Sequence, residues 1–385
     1  MNGKDKRLKL AVVRQRYNPY GGAERIVARV LPALERAGAE VTLISRAESG
    51  WGARRVLRAD PFHLGNLWRD WSFARAARAA WRREGFDLVQ SHERIAGCDI
   101  YRAGDGVHRR WLELRRAAGG RLEGLRIRLN PYHAYMCGAE KRVFEHPRLR
   151  AVICISRMVR EDVLRSFRVD PGKLHVIYNG IDVEQFHPRE RSRLRDAARA
   201  ELGLSARDTV FIYVGSGFAR KGLGAAIDAL ALAANPTFRL LVAGRDRNLG
   251  RFVQRAAAAG IGQRVRFLGG RDDMRPPYAA ADCLVLPSLY DPFGIAVLEA
   301  FAMGLPAIVS KRCGAAELIE PGVNGWVCAP DDPAGLARLM QQADAATRSA
   351  AMGAAARATA ERFSIDAMAA QLVALYQSLG KSRDA

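Results

Sequence analysis

TVFIYVGSGFARKGLGAAIDALALAANPTFRLLVAG, residues 209–244, decides the fold. It opens on a continuous apolar run, turns on Gly215 and Gly217, and resumes with apolar residues at helical spacing. It closes on a second apolar run, FRLLVAG. A strand with no polar alternation is buried on both faces, as in a parallel sheet, and a helix between two such strands supplies the crossover. The pattern continues outward. FVQRAAAAG (252–260) reads as a helix, and VRFLGG (265–270), DCLVLPS (282–288) and PAIVS (306–310) read as strands. An earlier copy begins at LKLAVVRQ (8–15), passes the glycine turn YNPYGGAER (17–25) and a helical face, and reaches AEVTLIS (39–45). FDLVQSH (86–92) and LRAVICIS (149–156) read as further strands of that first sheet. The fold class is therefore α/β, with two doubly wound domains joined near HVIYNGIDVEQFHP (175–188). We expect the first domain over 1–180, the second over 181–364, and a last helix over 365–385. Ligands of such sheets bind at the carboxyl ends of the strands, so the expected site is a cleft between the sheets.

The chain has 385 residues and a formal charge of +21. Residues 1–200 hold 41 Lys and Arg against 23 Asp and Glu, an excess of 18, which leaves 3 for residues 201–385. So lopsided a charge suggests an anionic partner for the first half, a membrane surface or a nucleic acid, or else a solvated arginine-rich face. No helix-turn-helix, zinc-finger or aromatic RNP pattern accompanies it, and we expect no nucleic acid. The six cysteines (Cys98, Cys137, Cys154, Cys283, Cys313, Cys328) form no C-x-x-C pair and read as buried thiols. The apolar run after Lys9 is too short for a signal peptide, and no run approaches the ~20 residues of a bilayer span. The expected location is the cytoplasm.

Two stretches carry chemistry. In 214–227, Arg220 and Lys221 stand before a helix start, where amides and cations together suit a diphosphate. The stretch is neither a Walker A loop, since Gly222 follows Lys221, nor a dinucleotide fingerprint, since Arg220 takes the place of the third glycine. In YDPFGIAVLEAFAMGLPAIVS (290–310), Asp291 reads as an N-cap with Pro292 at the first helical position. The helix then carries Glu299 within its first two turns, in apolar surroundings. A buried carboxylate requires a partner, and a vicinal diol such as a ribose suits its two acceptor oxygens. Eight residues of helix span about 12 Å. Glycosidase carboxylates stand about 5–9.5 Å apart, which disfavours a hydrolase pair.

Residues 290–310 resemble the E-x7-E region of the retaining glycosyltransferases of family 4, and GSGFARKG (215–222) resembles their diphosphate loop. YGGAER (20–25), VICISRMVREDV (152–163) and KLHVIYNGIDVEQFHP (173–188) fit the same family in order and spacing. DIYRAGDGVH (99–108) and GGRDDM with AAADCLVLPS (269–274 and 279–288) resemble its lipopolysaccharide core glucosyltransferase I branch, apart from Pro276-Pro277 at an expected helix start. The resemblance implies the GT-B fold, two facing Rossmann-like domains with the last helix crossing back to the first. It implies transfer of a hexose from a nucleotide-sugar such as UDP-glucose to a lipid-anchored glycan, a heptose of the lipopolysaccharide inner core. No metal-binding aspartate cluster appears in the sequence where a cation would be needed, so we expect neither metal nor cofactor. A nucleotide-sugar epimerase, or a GT-B enzyme with a soluble acceptor, is the alternative.

The resemblance also implies roles. Glu299 holds the donor ribose, and Arg220 and Lys221 neutralise the leaving diphosphate. The amides of Phe293, Gly294 and Ile295 meet the donor sugar and phosphate. Gly21 and Gly22 approach the phosphate from the first domain. Asp105 lies near the cleft, and Asp291 stands where the family usually has Glu. On this reading the ribose, and no other side chain, is the partner of Glu299. In the basic half, Arg109, Arg110, Trp111, Arg115 and Arg116 open an Arg-aromatic run that suits the anionic inner face of the cytoplasmic membrane, or a solvated helix pair. His92 and His108 are left without a role.

Overall fold

The computed structural model describes residues 7–16, 31–32, 34–36, 38–47, 55–346 and 350–381. Gly21 and Gly22 lie outside them. The chain forms two compact units, one of residues 1–178 with 365–385 and one of residues 179–364.

The first unit holds a seven-stranded sheet. Its strands are β1 (Leu8–Val13), β2 (Ala39–Ser45), β3 (Val56–Arg58), β4 (Leu88–Ser91), β5 (Ile100–Ala103), β6 (Ala151–Cys154) and β7 (Leu174–Val176). The order is β3-β2-β1-β4-β5-β6-β7, and every pairing is parallel. β4, β5 and β6 are buried along their whole length; β6 is apolar throughout, as a strand covered on both faces should be, whereas β4 and β5 also bury Gln90, Ser91 and Arg102. The helix Ile365–Lys381 packs on this unit through the buried Met368, Leu372, Leu375 and Tyr376, and the Tyr376 hydroxyl donates to Gln90 Oε1 at 2.6 Å.

The second unit holds six parallel strands: β8 (Thr209–Val214), β9 (Phe238–Ala243), β10 (Val265–Gly269), β11 (Cys283–Leu286), β12 (Ala307–Ser310) and β13 (Gly325–Cys328). Their order is β10-β9-β8-β11-β12-β13. The winding direction reverses between β8 and β11, and in open parallel sheets that reversal leaves a crevice at the carboxyl ends of the two strands. The doubly wound α/β class read from the sequence is the observed one.

Two local expectations need correction. Pro276 and Pro277 do not interrupt a helix; they occupy the first turn of Arg275–Ala280, where a missing N–H has no intrahelical acceptor to lose. Asp291 does not cap the helix that carries Glu299. That helix is Ile295–Ala302, and its cap is Gly294 at φ 81°. All six thiols are free, and five are buried.

Candidate functional site

The crevice of the second unit is built by two loops. The first leaves β8 and runs from Gly215 to the helix Leu223–Leu232. The second leaves β11 and runs from Pro287 to the helix Ile295–Ala302. They are laced together. Leu289 donates its amide to the Arg220 carbonyl at 2.9 Å, and Arg220 Nη1 donates to the Tyr290 carbonyl at 2.8 Å. Gly222 caps its helix at φ 77°, and a Cβ there would stand 1.9 Å from the Pro287 carbonyl oxygen. The loops approach this closely only because residue 222 has no side chain.

Lys221 Nζ stands 3.0 Å from Asp291 Oδ2. Burial opposes ionisation of Asp291, but the Lys221 ammonium and the Arg220 guanidinium outweigh it and hold the carboxyl below the ordinary carboxylate range. The structure thus brings Asp291 to Arg220 and Lys221, which lie some seventy residues earlier in the chain. Phe293 donates its amide toward Asp291 Oδ1 at 3.4 Å, and Gly294 has Cys313 Sγ where a Cβ would lie, 2.6 Å away. The Phe293 amide is thus turned to Asp291 and not outward, while Gly294 and Ile295 follow it at the helix start, where the first amides have no intrahelical acceptor.

Glu299 is buried on the second turn of that helix. Here the expectation of a ligand as its one partner is overturned. The Tyr278 hydroxyl donates to Glu299 Oε2 at 2.8 Å and lies 3.3 Å from the Ala296 carbonyl. Tyr278 is fully buried, so its phenol desolvates one side of the carboxylate and replaces water with a fixed donor. Asp246 is a residue the sequence reading passed over. It lies two residues beyond the end of the FRLLVAG run, and its Oδ2 accepts the Phe218 amide at 2.7 Å, fastening the Arg220–Lys221 loop to the β9 end.

In the first unit the winding reverses between β1 and β4, and a polar cluster sits at their carboxyl ends. Glu93 Oε1 accepts the Gln15 amide at 3.0 Å and pairs with Arg14 at 3.4 Å. Burial raises the Glu93 carboxyl above its ordinary range. Arg94 joins Glu140 at 2.9 Å and Asp105 at 3.7 Å. Asp105 therefore stands at this reversal, half exposed, beside a buried guanidinium. Glu140 also accepts the His108 and Arg109 amides, at 2.6 and 3.2 Å, and so caps the helix His108–Leu129 from a neighbouring helix. None of Gln15, Glu93, Arg94 and Glu140 carried a motif. Their spacing in the chain is irregular, and only the β1–β4 adjacency gathers them.

His108 Nε2 lies 3.1 Å from His133 Nδ1. Burial first, then the charges of Arg94, His133 and Arg115, push the His108 pKa down to about 3. His92 is buried against Gln90, and burial with Arg102 and Arg14 pushes its pKa far below the usual histidine range. Burial thus disfavours the protonated form of both imidazoles.

The Arg-aromatic run forms the helix His108–Leu129, interrupted at Gly120, and the helix Pro131–Phe144. Arg109 lies over the Phe167 ring, Arg110 pairs with Glu113 and Asp162, and Arg115 pairs with Glu123. Trp111 is half-buried and Arg116 is exposed. The apolar side chains presented outward are Leu122, Leu125 and Leu129, farther along the helix. Among the described residues no helix is long and apolar enough to cross a membrane, and no group of three or more His, Cys, Asp or Glu is arranged to hold a metal ion.

Residues 20–185 match the family described as Glycosyltransferase Family 4, and residues 195–358 match Glycosyl transferases group 1. The chain is 24% identical over 319 residues to the lipopolysaccharide glucosyltransferase WaaG of Escherichia coli (strain K12), covering 82% of this chain and 83% of that protein. It is 33% identical over 195 residues to a D-inositol 3-phosphate glycosyltransferase of Mycobacterium sp. (strain KMS), covering 49% of this chain and 42% of that protein. The crystal structure of WaaG superimposes with a TM-score of 0.82 at 23% identity, covering 95% of this chain and 99% of that one. The Anabaena protein HepE, in complex with UDP-glucose, superimposes with a TM-score of 0.73 at 23% identity, covering 96% and 99%.

Proposed function

Since the chain is a GT-B glycosyltransferase belonging to family 4, we propose that it moves a hexose from a nucleotide-sugar, UDP-glucose, to a lipid-anchored glycan, with retention at the anomeric carbon. The proposed acceptor is a heptose of the lipopolysaccharide inner core. The observation that carries the donor side is the convergence of Arg220, Lys221 and Asp291 at the β8–β11 reversal, with Glu299 on the adjoining helix. As the glycosidic bond breaks, the sugar becomes oxocarbenium-like and the diphosphate gains negative charge. Arg220, Lys221 and the Gly294 and Ile295 amides are fixed donors aimed at that charge, and fixed donors need no reorganisation during the reaction. Asp291 keeps the Lys221 ammonium at the loop before donor arrives. Glu299, oriented by Tyr278, offers a carboxylate to the ribose diol. On the acceptor side, Asp105 beside Arg94 lies at the corresponding reversal of the first unit. The likeness to WaaG and to HepE with its UDP-glucose supports donor and acceptor class.

The enzyme works as a peripheral protein at the inner face of the cytoplasmic membrane, held there by the basic first half. No metal takes part in the reaction. A labelled UDP-glucose incubated with a heptose-bearing lipid acceptor, with and without a chelator, tests the proposal. The expected product is an α-glucoside formed equally well in both. A β-product, an epimerised donor, or transfer that stops when metal is removed would overturn the corresponding clause. The inositol phosphate enzymes are a second family 4 precedent, with a small phosphorylated acceptor. Transfer to inositol phosphate in preference to the lipid acceptor would replace the acceptor reading and leave the donor reading standing.

A further inference from the structure

A second surface of the first unit is apolar without structural need. Phe62 and Leu64 are 72% and 68% exposed, and Trp68 and Trp71, on the helix Gly65–Glu84, are 41% and 45% exposed. Isolated exposed hydrophobics are ordinary, but five large ones within ten residues, Leu67 among them and two of them tryptophan, form a patch. The helix needs none of them for packing, since it buries Phe73, Ala74, Ala77, Ala80 and Trp81 on its other side. Phe62 and Trp68 meet edge to face at 5.6 Å, and the Arg75 guanidinium lies 5.1 Å over the Trp71 ring. Trp68, Trp71, Arg75, Arg78 and Arg82 follow one another at three- and four-residue spacing, along one face. Between residues 62 and 84 there are five arginines and two acids. Both acids are engaged, Asp70 by Arg69, Gln15 and Tyr132, and Glu84 by Arg55 and Arg83.

The patch adjoins the basic insertion. The Tyr132 hydroxyl donates to Asp70 Oδ2 at 2.9 Å, which clamps the start of Pro131–Phe144 to the turn carrying the two tryptophans. The exposed Leu129 lies three residues before that clamp. Both segments also leave the sheet at carboxyl strand ends, one after β3 and the other after β5. We propose that the Phe62–Leu64–Trp68–Trp71 face is an anchor that enters the head-group layer of an anionic membrane, beside the acceptor end of the first unit. The inference rests on the membrane reading above and adds to it a site on a different helix. Tryptophan and arginine suit the boundary between head groups and acyl chains, the ring in the apolar layer and the cation among phosphates. A single-stranded nucleic acid also favours arginine and aromatic rings. Leu64, Leu67 and Leu129, also exposed, offer nothing to a base and much to a lipid tail.

The test uses the full chain with vesicles of phosphatidylglycerol and acyl-brominated phosphatidylcholine. Bromine in the acyl region should quench tryptophan emission. The Trp68→Ser/Trp71→Ser pair should lose most of that quenching and bind vesicles about tenfold more weakly, as expected for two rings withdrawn from an apolar layer. Its unfolding temperature and its thermal shift with UDP should match the wild type. Vesicle binding and quenching unchanged in the pair would overturn this anchor and leave binding through the arginine run intact. A wild-type protein that ignores anionic vesicles would overturn both readings together. Single-stranded DNA that displaces the protein from vesicles at equal salt would assign the face to nucleic acid and overturn the anchor.

Discussion

Lys221 joins two loops and two tasks. It pairs with Asp291 before any donor arrives, and in the proposed reaction it answers the charge of a departing diphosphate. Lys221→Ala should therefore lower kcat by roughly 100-fold or more, the usual effect of losing one preorganised donor. It should also lower the unfolding temperature, because Asp291 is left as a buried, unpaired carboxylate. Adding Asp291→Asn should recover stability without recovering turnover. A Lys221→Ala enzyme within a few-fold of wild-type kcat would remove the diphosphate role. Glu299 is separable in the same way. Glu299→Ala should weaken UDP binding in calorimetry yet leave affinity for inorganic diphosphate unchanged, since only the ribose contact is deleted. Equal loss for both ligands would return Glu299 to a structural role with Tyr278. Gly222→Ala forces a Cβ against the Pro287 carbonyl and holds alanine at positive φ. Left-handed backbone alone costs about 1–3 kcal/mol, so thermal unfolding should come several degrees earlier, together with loss of turnover.

At the scale of elements, the insertion after β5 hangs on Glu140. Its carboxylate caps His108–Leu129 and pairs with Arg94, and it is fully buried. Glu140→Ala leaves a buried guanidinium and two helix amides without their acceptor, at a cost of about 3–5 kcal/mol. Hydrogen exchange should then quicken over 108–129 while β8–β13 keep their protection. His108 gives the same element a pH dependence. The His108 pKa lies near 3 in the folded chain against about 6.5 unfolded. As pH falls below about 6.5 the unfolded chain takes up a proton that the folded chain refuses, so stability declines down to about pH 3. His108→Gln should flatten the fall in urea midpoint between pH 7 and pH 5; an unchanged slope would mean that the folded imidazole takes up its proton in that range. A proline pair suggests a break, yet Pro276 and Pro277 start a helix, because a first turn demands no N–H.

For the molecule as a whole, chain order and structural order diverge. Residues 365–381 fold with the first unit, although the second unit separates them from it in sequence. Met368, Leu372, Leu375 and Tyr376 are buried there. Removing a large core side chain costs about 2–5 kcal/mol, so losing four exceeds the stability of a typical domain. A chain ending at Ser364 should retain the calorimetric transition of the second unit and lose that of the first. The charge follows the same division, with nearly all of the excess in residues 1–200. Vesicle binding should accordingly weaken with added salt, since head-group attraction is screened over a Debye length of about 8–10 Å.

The sequence by itself determined the two parallel sheets, the approximate strands and the loops that carry Arg220, Lys221, Asp291 and Glu299. Those features are local: a strand buried on both faces is apolar throughout, and a helix start carries its own amides. The tertiary structure decided what each charge meets. Lys221 could not be matched to Asp291, nor Glu299 to Tyr278, from spacing, because partners come from different strand ends and their adjacency depends on strand order. The same holds for Arg94, Glu140 and Asp105, and for the tryptophan face at Trp68 and Trp71, whose exposure is a property of packing: the same side chains at the same spacing would serve equally well as a buried helix face.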